Sequence, residues 1–282
     1  MSKPLVSPAW ASTAVGDLLC GGCQDAIVRA STKVASYLTV PEPGTSPAVM
    51  ALLSRDAVRL PIGVVLATDK LPEAGSTVRI GNGAVTTERR TWRPVRWWDP
   101  HPHLSAQALV ASSPALLEVL EGEPAASFGL SLADALDLAG ALAGGDGGGA
   151  LGAIGLGPGL TPAGDDVVAG ALAVLALCER LDDGLKAAIA ACACTRTTAL
   201  SAALIVAASR GQVIPQAAGV LNALAAGGPL DRLRSAAAEL FGVGATSGHD
   251  LCAGMAGALL ASARPCEDGA GGELATITRR PL

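Results

Sequence analysis

Gly155-Leu156-Gly157-Pro158-Gly159-Leu160-Thr161-Pro162-Ala163-Gly164-Asp165-Asp166 runs straight into the apolar stretch Val167-Val168-Ala169-Gly170. A glycine-rich turn ahead of a helix lets backbone N–H groups approach an anion, aided by the helix dipole. The common nucleotide patterns nevertheless fail here. A dinucleotide fingerprint begun at Gly155 needs its third Gly where Leu160 stands, and the next register places Pro162 there. P-loop spacing exists from Gly159 to Gly164, but the Lys it requires is Asp165, of opposite charge. With both patterns excluded, the fold has to be read from the segments on either side.

Upstream, residues to about 104 read as β structure. Ala26–Ser31, Val34–Val40, Val49–Leu53 and Arg59–Leu66 are strand-like runs. Thr77–Ile80 and Ala84–Thr87 flank Gly81-Asn82-Gly83, and Asn-Gly between β-rich runs signals a hairpin because both residues tolerate positive φ. Pro41-Glu42-Pro43-Gly44 and Leu71-Pro72-Glu73-Ala74-Gly75 punctuate these runs as turns, which suggests a small antiparallel sheet or barrel.

From about residue 105 the pattern is helical. Ser113 as N-cap with Pro114 in the first turn predicts a helix to Leu120, and Ser131-Leu132-Ala133-Asp134 resembles a capping box opening a helix to about Ala143. Gly144–Gly149 breaks the pattern. Further helices are expected at Val167–Arg180, Leu185–Cys194, Thr197–Ser209, Ile214–Ala226, Leu230–Phe241 and Leu251–Ala263, with a loosely ordered tail from Pro265. The expected architecture is α+β: a β-rich domain over 1–104, then a mostly α-helical domain over 105–282.

Composition narrows the function classes. Half of the 282 residues are apolar and mean hydropathy is +0.44, yet aromatics are only 2% and much of the apolar fraction is Ala. The apolar run Val167–Cys178, bounded by Asp165-Asp166 and Glu179-Arg180, falls short of the roughly 20 residues needed to span a bilayer. The N-terminus Met1-Ser2-Lys3-Pro4 lacks the cleavable apolar core of a signal peptide, so neither a membrane span nor secretion is expected. A net charge of −5 without a basic cluster argues against nucleic acid. Seven Cys, an odd number, fit reduced thiols in a cytoplasm better than a disulfide framework. Cys20-Gly21-Gly22-Cys23 is a C-x-x-C, but no second pair stands at zinc-ribbon spacing. A charged content of 16% leaves surface for other subunits, in a hetero-complex or a homo-oligomer.

Between the two halves, Thr91–His103 holds three of the four Trp and two of the three His. It reads as an interdomain seam sealed by large rings, the alternative being a ligand wall or a metal pair at His101 and His103.

An internal echo strengthens the case for a site. Gly164-Asp165-Asp166-Val167-Val168-Ala169-Gly170 and Gly248-His249-Asp250-Leu251-Cys252-Ala253-Gly254 share the pattern G-x-D-Φ-Φ-A-G, with Thr161 and Thr246 upstream. Gly inside a helix costs about 1 kcal/mol against Ala, so two in matching places suggest close backbone approach. The two helix starts are therefore expected to face one another and to present Asp165, Asp166, His249 and Asp250 to one pocket. The acids also suit plain helix capping, but the Gly-Pro-Gly run and the echo favour a site. Thr195-Arg196-Thr197-Thr198 with Ser201 forms a third polar island, where a guanidinium and hydroxyls suit a phosphate or carboxylate. Its Thr-Arg-Thr string is similar to part of the carbamoyl-phosphate motif of ornithine and aspartate carbamoyltransferases, without the strand–loop context expected there. A helix N-cap with a solvated Arg explains this island equally well.

The long motif resembles the G-L-G-P-G-L-T-P-S-G-D-D signature of the AllH family, subunits of oxamate carbamoyltransferase, with Ala163 standing where Ser is usual. Thr197, Thr198 and Ser201, and Thr246-Ser247-Gly248-His249-Asp250, are similar to other recurrent pieces of that family. The resemblance implies a role in ureide catabolism, moving a carbamoyl group between oxalurate and phosphate to give oxamate and carbamoyl phosphate. It implies small anionic substrates held by Gly157, Gly159, Thr161, Gly164, Arg196, Thr197, Thr198, Ser201, Thr246, Ser247 and Gly248. Asp165 or Asp166 would orient a donor N–H or hold Mg²⁺, and His249 would shuttle a proton. Two other readings stay open: a non-catalytic scaffold or regulatory subunit, and another Mg²⁺-dependent small-anion transferase.

Overall fold

The computed structural model describes residues 5–41, 48–68 and 70–263. The N-terminal sequence 1–4, most of the turn at 41–44 and the tail from residue 265, each read above from sequence, lie outside them.

Eight strands form a closed barrel: β1 (Leu5–Ser12), β2 (Gln24–Ser31), β3 (Ala35–Val40), β4 (Ala48–Leu53), β5 (Gly63–Leu66), β6 (Thr77–Gly81), β7 (Ala84–Thr86) and β8 (Arg90–Trp98). Around the barrel they run β1-β5-β4-β3-β2-β6-β7-β8. Neighbours pair antiparallel except β4 with β5 and β1 with β8, which are parallel. The expected barrel is present, but it closes through a parallel seam between its first and last strands, where antiparallel pairing was expected. The register along that seam slips between Ala9 and Trp10, opposite Pro94 and Arg96, so Pro94 sits at a bulge, where a missing N–H does no harm. The Asn-Gly turn is as read: Asn82 has φ 53° and Gly83 φ 69° between β6 and β7. Leu38, Met50, Leu52, Leu66 and Ile80 are each 0% exposed and fill the barrel, with Trp92 at 4%.

A short helix, α1 (Gly16–Cys20), packs on the β6–β7 hairpin, where Leu19 O accepts from Gly83 N (2.7 Å) and Gly21 O from Asn82 N (2.9 Å). The helical region then comprises α2 (Ala106–Ala111), α3 (Ser113–Glu121), α4 (Leu132–Ala143), α5 (Gly147–Ala153), α6 (Ala163–Leu177), α7 (Asp183–Arg196), α8 (Ala199–Ala208), α9 (Pro215–Ala226), α10 (Leu230–Phe241) and α11 (Ser247–Ala263). Among the described residues no helix is long and apolar enough to cross a membrane.

Several expectations are corrected. Ser113 lies inside α3 and the N-cap position falls to Ser112. The glycine run does end α4, at Ala143 with Gly144 as C-cap, but the Asp146 side chain accepts from Gly148 N (3.0 Å) and starts α5 within it. Both α6 and α11 begin four residues earlier than read, so Asp165, Asp166, His249 and Asp250 sit in first turns rather than ahead of them. Arg196 is the last residue of α7 and not a helix start.

α6 and α11 are the centre of the helical region, and small residues let them touch backbone to backbone. A Cβ on Gly170 would strike Leu251 O, and one on Gly254 would strike Val167 O. The two contacts are reciprocal: each repeat's glycine meets the residue three places before the other's glycine. α8 joins the halves, giving Leu200 and Ala207 to the barrel core and Ala202, Ile205 and Ala208 to the helical one. After β8, Pro100 O accepts from Val213 N (3.0 Å) and the His101 ring meets Arg210 O. His103 Nε2 lies 3.3 Å from Asp99 Oδ2 of its own segment with its side chain 85% exposed, so of the two His only His101 reaches the helical region.

Candidate functional site

Gly155, Gly157 and Gly159 have φ of +85°, +117° and +99°, left-handed values that side chains rarely adopt. They fold the motif into a tight loop with Leu156 and Leu160 turned out, 55% and 45% exposed. Leu156 O accepts from Gly164 N (2.9 Å) and Leu160 O from Thr198 Oγ1 (2.6 Å). Asp165, 1% exposed, is the knot beneath the loop. Its Oδ1 accepts from Gly155 N (2.7 Å), and its Oδ2 from Ser201 Oγ (2.6 Å) and from Thr197 Oγ1. A buried carboxylate with three donors is well satisfied, and it ties loop, α6 and α8 together. Thr198 also caps α8, accepting from Ser201 N (3.1 Å).

The two helix starts converge. Thr161 Oγ1, just before α6, lies 3.0 Å from Ser247 Oγ at the start of α11. Asp250, 0% exposed, accepts from Gly129 N (3.0 and 3.2 Å) and Leu130 N (3.2 Å). Gly129 fits only because it lacks a Cβ, which would stand 2.6 Å from Ala163 Cβ, 2.7 Å from Asp250 Oδ2 and 2.9 Å from Thr246 Oγ1. Burial raises the Asp250 pKa, opposed by the Thr246 hydroxyl, the Leu130 and Gly129 N–H groups and His249.

Asp166, in the first turn of α6, has no such backbone donors. Its Oδ2 is buried and has no hydrogen bond. Burial is the main reason its pKa is pushed up to about 8; Asp250 and Asp165 add negative charge, while the Ser247 and Thr161 hydroxyls pull the other way. At neutral pH this carboxyl is mostly protonated, so it offers one donor and one acceptor side by side.

His249 is held apart from that cleft. Its ring stacks on Phe241 (centroids 4.1 Å, 8° between planes) and meets Phe128 edge-on (5.3 Å, 70°). These are the chain's two Phe. Nε2 lies 3.3 Å from Glu123 Oε2, while Nδ1 is buried without a partner. Glu123 was missed in sequence, where nothing marks it in the Glu121-Gly122-Glu123-Pro124 turn. Arg196 is also separate: Nη1 donates to Leu151 O (2.9 Å) and Nη2 to Gly152 O (3.4 Å), covering the end of α5. Gly248 lies against Leu240 O and Phe241. The structure thus brings Thr161, Asp166, Thr246, Ser247 and Asp250 together, sets Asp165, Thr197, Thr198 and Ser201 under the loop, and leaves His249 and Arg196 to neighbouring clusters.

The donor set fits Mg²⁺ poorly. Asp165 and Asp250 are spent on protein donors, Asp166 is held largely neutral, and among the described residues no three His, Cys, Asp or Glu side chains group as a metal site. No step below is routed through a metal. A cavity of about 950 Å³ lies on the barrel, away from the helix starts, which Gly129 covers.

Comparison with known proteins bears on this region alone. Residues 153–259 match a family model described as oxamate carbamoyltransferase subunit AllH. The likeness seen in the Gly155–Asp166 signature therefore extends from the glycine loop through most of α11, and leaves the barrel and α2–α4 outside it. No curated protein and no solved structure matches the chain.

Proposed function

We propose that this chain is a subunit of an oxamate carbamoyltransferase-like complex and that the cleft between the α6 and α11 starts holds its small substrate. The observation that carries this is the buried, unpartnered Asp166 oxygen, set where two helix N-termini converge inside the matched segment. A neutral carboxyl pairs with an amide at two points, its O–H on the amide oxygen and its C=O on an amide N–H. Oxamate, oxalurate and carbamoyl phosphate each combine such an amide with an anionic group. The Gly157 and Gly159 N–H groups, with the Thr161 and Ser247 hydroxyls, suit that anionic end.

In the reaction assigned to this site, a phosphate oxygen attacks the carbamoyl carbon of oxalurate. The bond from that carbon to the oxamate nitrogen breaks, and the nitrogen takes up the proton that hydrogen phosphate brings. Asp166 relays that proton, a task for which a pKa near the working pH is suited. Asp165, Thr197, Thr198 and Ser201 position the loop, Asp250 holds the Gly129 segment over the cleft, and Thr246 supports Asp250. Gly164 and Gly248 let the helix starts approach their neighbours. His249, stacked on Phe241 and oriented by Glu123, takes no part in that transfer and supports the α11 start, and Arg196 holds the loop's base at α5. The setting is cytoplasmic ureide catabolism, in company with other subunits.

The test is carbamoyl phosphate formation from oxalurate and phosphate by the assembled complex. Asp166→Ala should abolish it and Asp166→Asn should leave less than about a hundredth, since the amide cannot relay a proton. Unchanged turnover in both would overturn the assignment. A second reading, a non-catalytic subunit, is favoured by one observation: Asp165, Asp250, Thr197 and Ser201 already spend their polar groups on internal hydrogen bonds. On that reading the chain binds neither oxamate nor carbamoyl phosphate.

A further inference from the structure

Charge is divided unevenly along the chain. Residues 1–96 hold 11 Lys and Arg against 7 Asp and Glu, whereas residues 97–179 hold 10 Asp and Glu and no Lys or Arg. The barrel is therefore the basic part of the molecule, and α2–α6 the acidic part. On the barrel's outer wall, where β1 pairs with β8, Trp10 stands opposite Arg96 and is 37% exposed. Two guanidinium groups lie over its ring, that of Arg59 5.3 Å and that of Arg96 5.6 Å from the ring centre. Among the described residues neither arginine has a carboxylate partner; Asp56, three residues before Arg59, is exposed and makes no ion pair with it. Val6 and Val95, 61% and 63% exposed, extend this apolar surface along the two strands.

The acidic part carries the matching surface. α4 turns Asp134 and Asp137 to solvent, and Asp146 follows, also exposed, at the start of α5. Among the described residues none of the three meets a Lys or Arg; Asp134 accepts from Ser131 Oγ (2.6 Å) and Asp146 from Gly148 N (3.0 Å). Around Asp146, Gly144, Gly145, Gly148 and Gly149 are exposed and carry no side chain, so a flat ring or guanidinium can come close. Trp and Arg are the residues that most often anchor protein interfaces, and here they lack the carboxylates that α4 and α5 hold uncompensated.

We propose that the β1–β8 face of one copy of this chain docks on the α4–α5 face of a second copy, with Trp10, Arg59 and Arg96 set against Asp134, Asp137 and Asp146. Carboxylates of the second copy take the open N–H groups of the two arginines, and Trp10 with the two valines supplies the apolar contact. Because the two faces differ, the contact either occurs twice in a two-fold pair or runs head to tail into a ring. This assembly is independent of the reaction assigned to the cleft between the α6 and α11 starts.

The experiment is sedimentation velocity of the full chain over a wide concentration range, in low and in high salt. The expected result is self-association that rises with concentration and falls with salt. Arg96→Glu and Asp137→Arg should each weaken it at least about tenfold. Mixing these two variants should restore it, because each brings the intact face that the other lacks. Arg29→Glu makes the same charge change on β2, across the barrel from β1, and should leave association unchanged. All three positions are exposed, and circular dichroism checks that each variant folds. A monomer at every concentration, association that survives either variant, no recovery on mixing, or equal loss in Arg29→Glu would overturn the proposal.

Discussion

Asp166 and Asp250 occupy equivalent places in the two G-x-D-Φ-Φ-A-G helix starts, yet only Asp250 has backbone donors. Gly129 N and Leu130 N serve Asp250 at 3.0–3.2 Å, whereas Asp166 keeps an oxygen with no partner. The repeat shows what such a carboxyl accepts when its place is filled: a pair of adjacent N–H groups. A ligand amide offers the same kind of donor to Asp166.

The pH dependence of stability should carry the mark of Asp166. Its folded pKa, about 8, lies above the ordinary carboxylate value of 3.8, so the folded state holds a proton that the unfolded state releases. The resulting stabilisation is fully present below the ordinary value and is lost as pH rises through about 8. Urea unfolding between pH 5 and 9, as a check, should show the wild type losing stability faster than Asp166→Asn; parallel curves would contradict it.

The helix pair is intolerant of side chains at its crossing. Gly170→Ala and Gly254→Ala each drive a methyl group into a carbonyl oxygen of the facing helix. Each should cost about 3 kcal/mol or prevent folding. Gly219, inside α9 with open space where its Cβ would be, is the control. Gly219→Ala should stabilise by about 0.5–1 kcal/mol in the same denaturant titration.

Asp165 is expected to hold shape. Removing one of its donors, in Thr197→Ala or Ser201→Ala, should cost about 1–2 kcal/mol, and Asp165→Ala more, because it strands three donors at once. Limited proteolysis should then cut near Leu156–Leu160 in Asp165→Ala before it does so in the wild type. Equal cleavage rates would show that the loop does not depend on this carboxylate.

Gly129→Ala tests the covering segment. The added methyl would press on Asp250, Ala163 and Thr246 together, so oxamate affinity should fall well before global stability does. Thermal melts beside binding titrations separate the two effects.

What was legible in the sequence followed from local rules. Asn82-Gly83 announced its hairpin because the turn needs positive φ at both places, and the matched glycines of the repeat announced a close helix contact. The barrel's closing strands were not legible. β1 carries Pro8 between Ser7 and Trp10, and β8 sets Arg93, Val95, Arg96 and Trp97 outward around Pro94, so neither shows clean alternation. Their parallel pairing joins residues about 85 apart, which no local pattern records. The helix starts were placed late because Asp165-Asp166 and His249-Asp250 looked like caps, although they lie inside the first turns. Glu123 had no sequence signal, since only the folded chain brings it to His249.

The central claim is that Asp166 recognises an amide in the cleft between the α6 and α11 starts. Calorimetric titration of the full chain with oxamate and with oxalate, which replaces the amide by a carboxylate, tests it most directly. The account predicts that the wild type prefers oxamate by at least about tenfold and that Asp166→Ala loses this preference. Equal binding of the two anions by the wild type, or a preference that survives in Asp166→Ala, would contradict it.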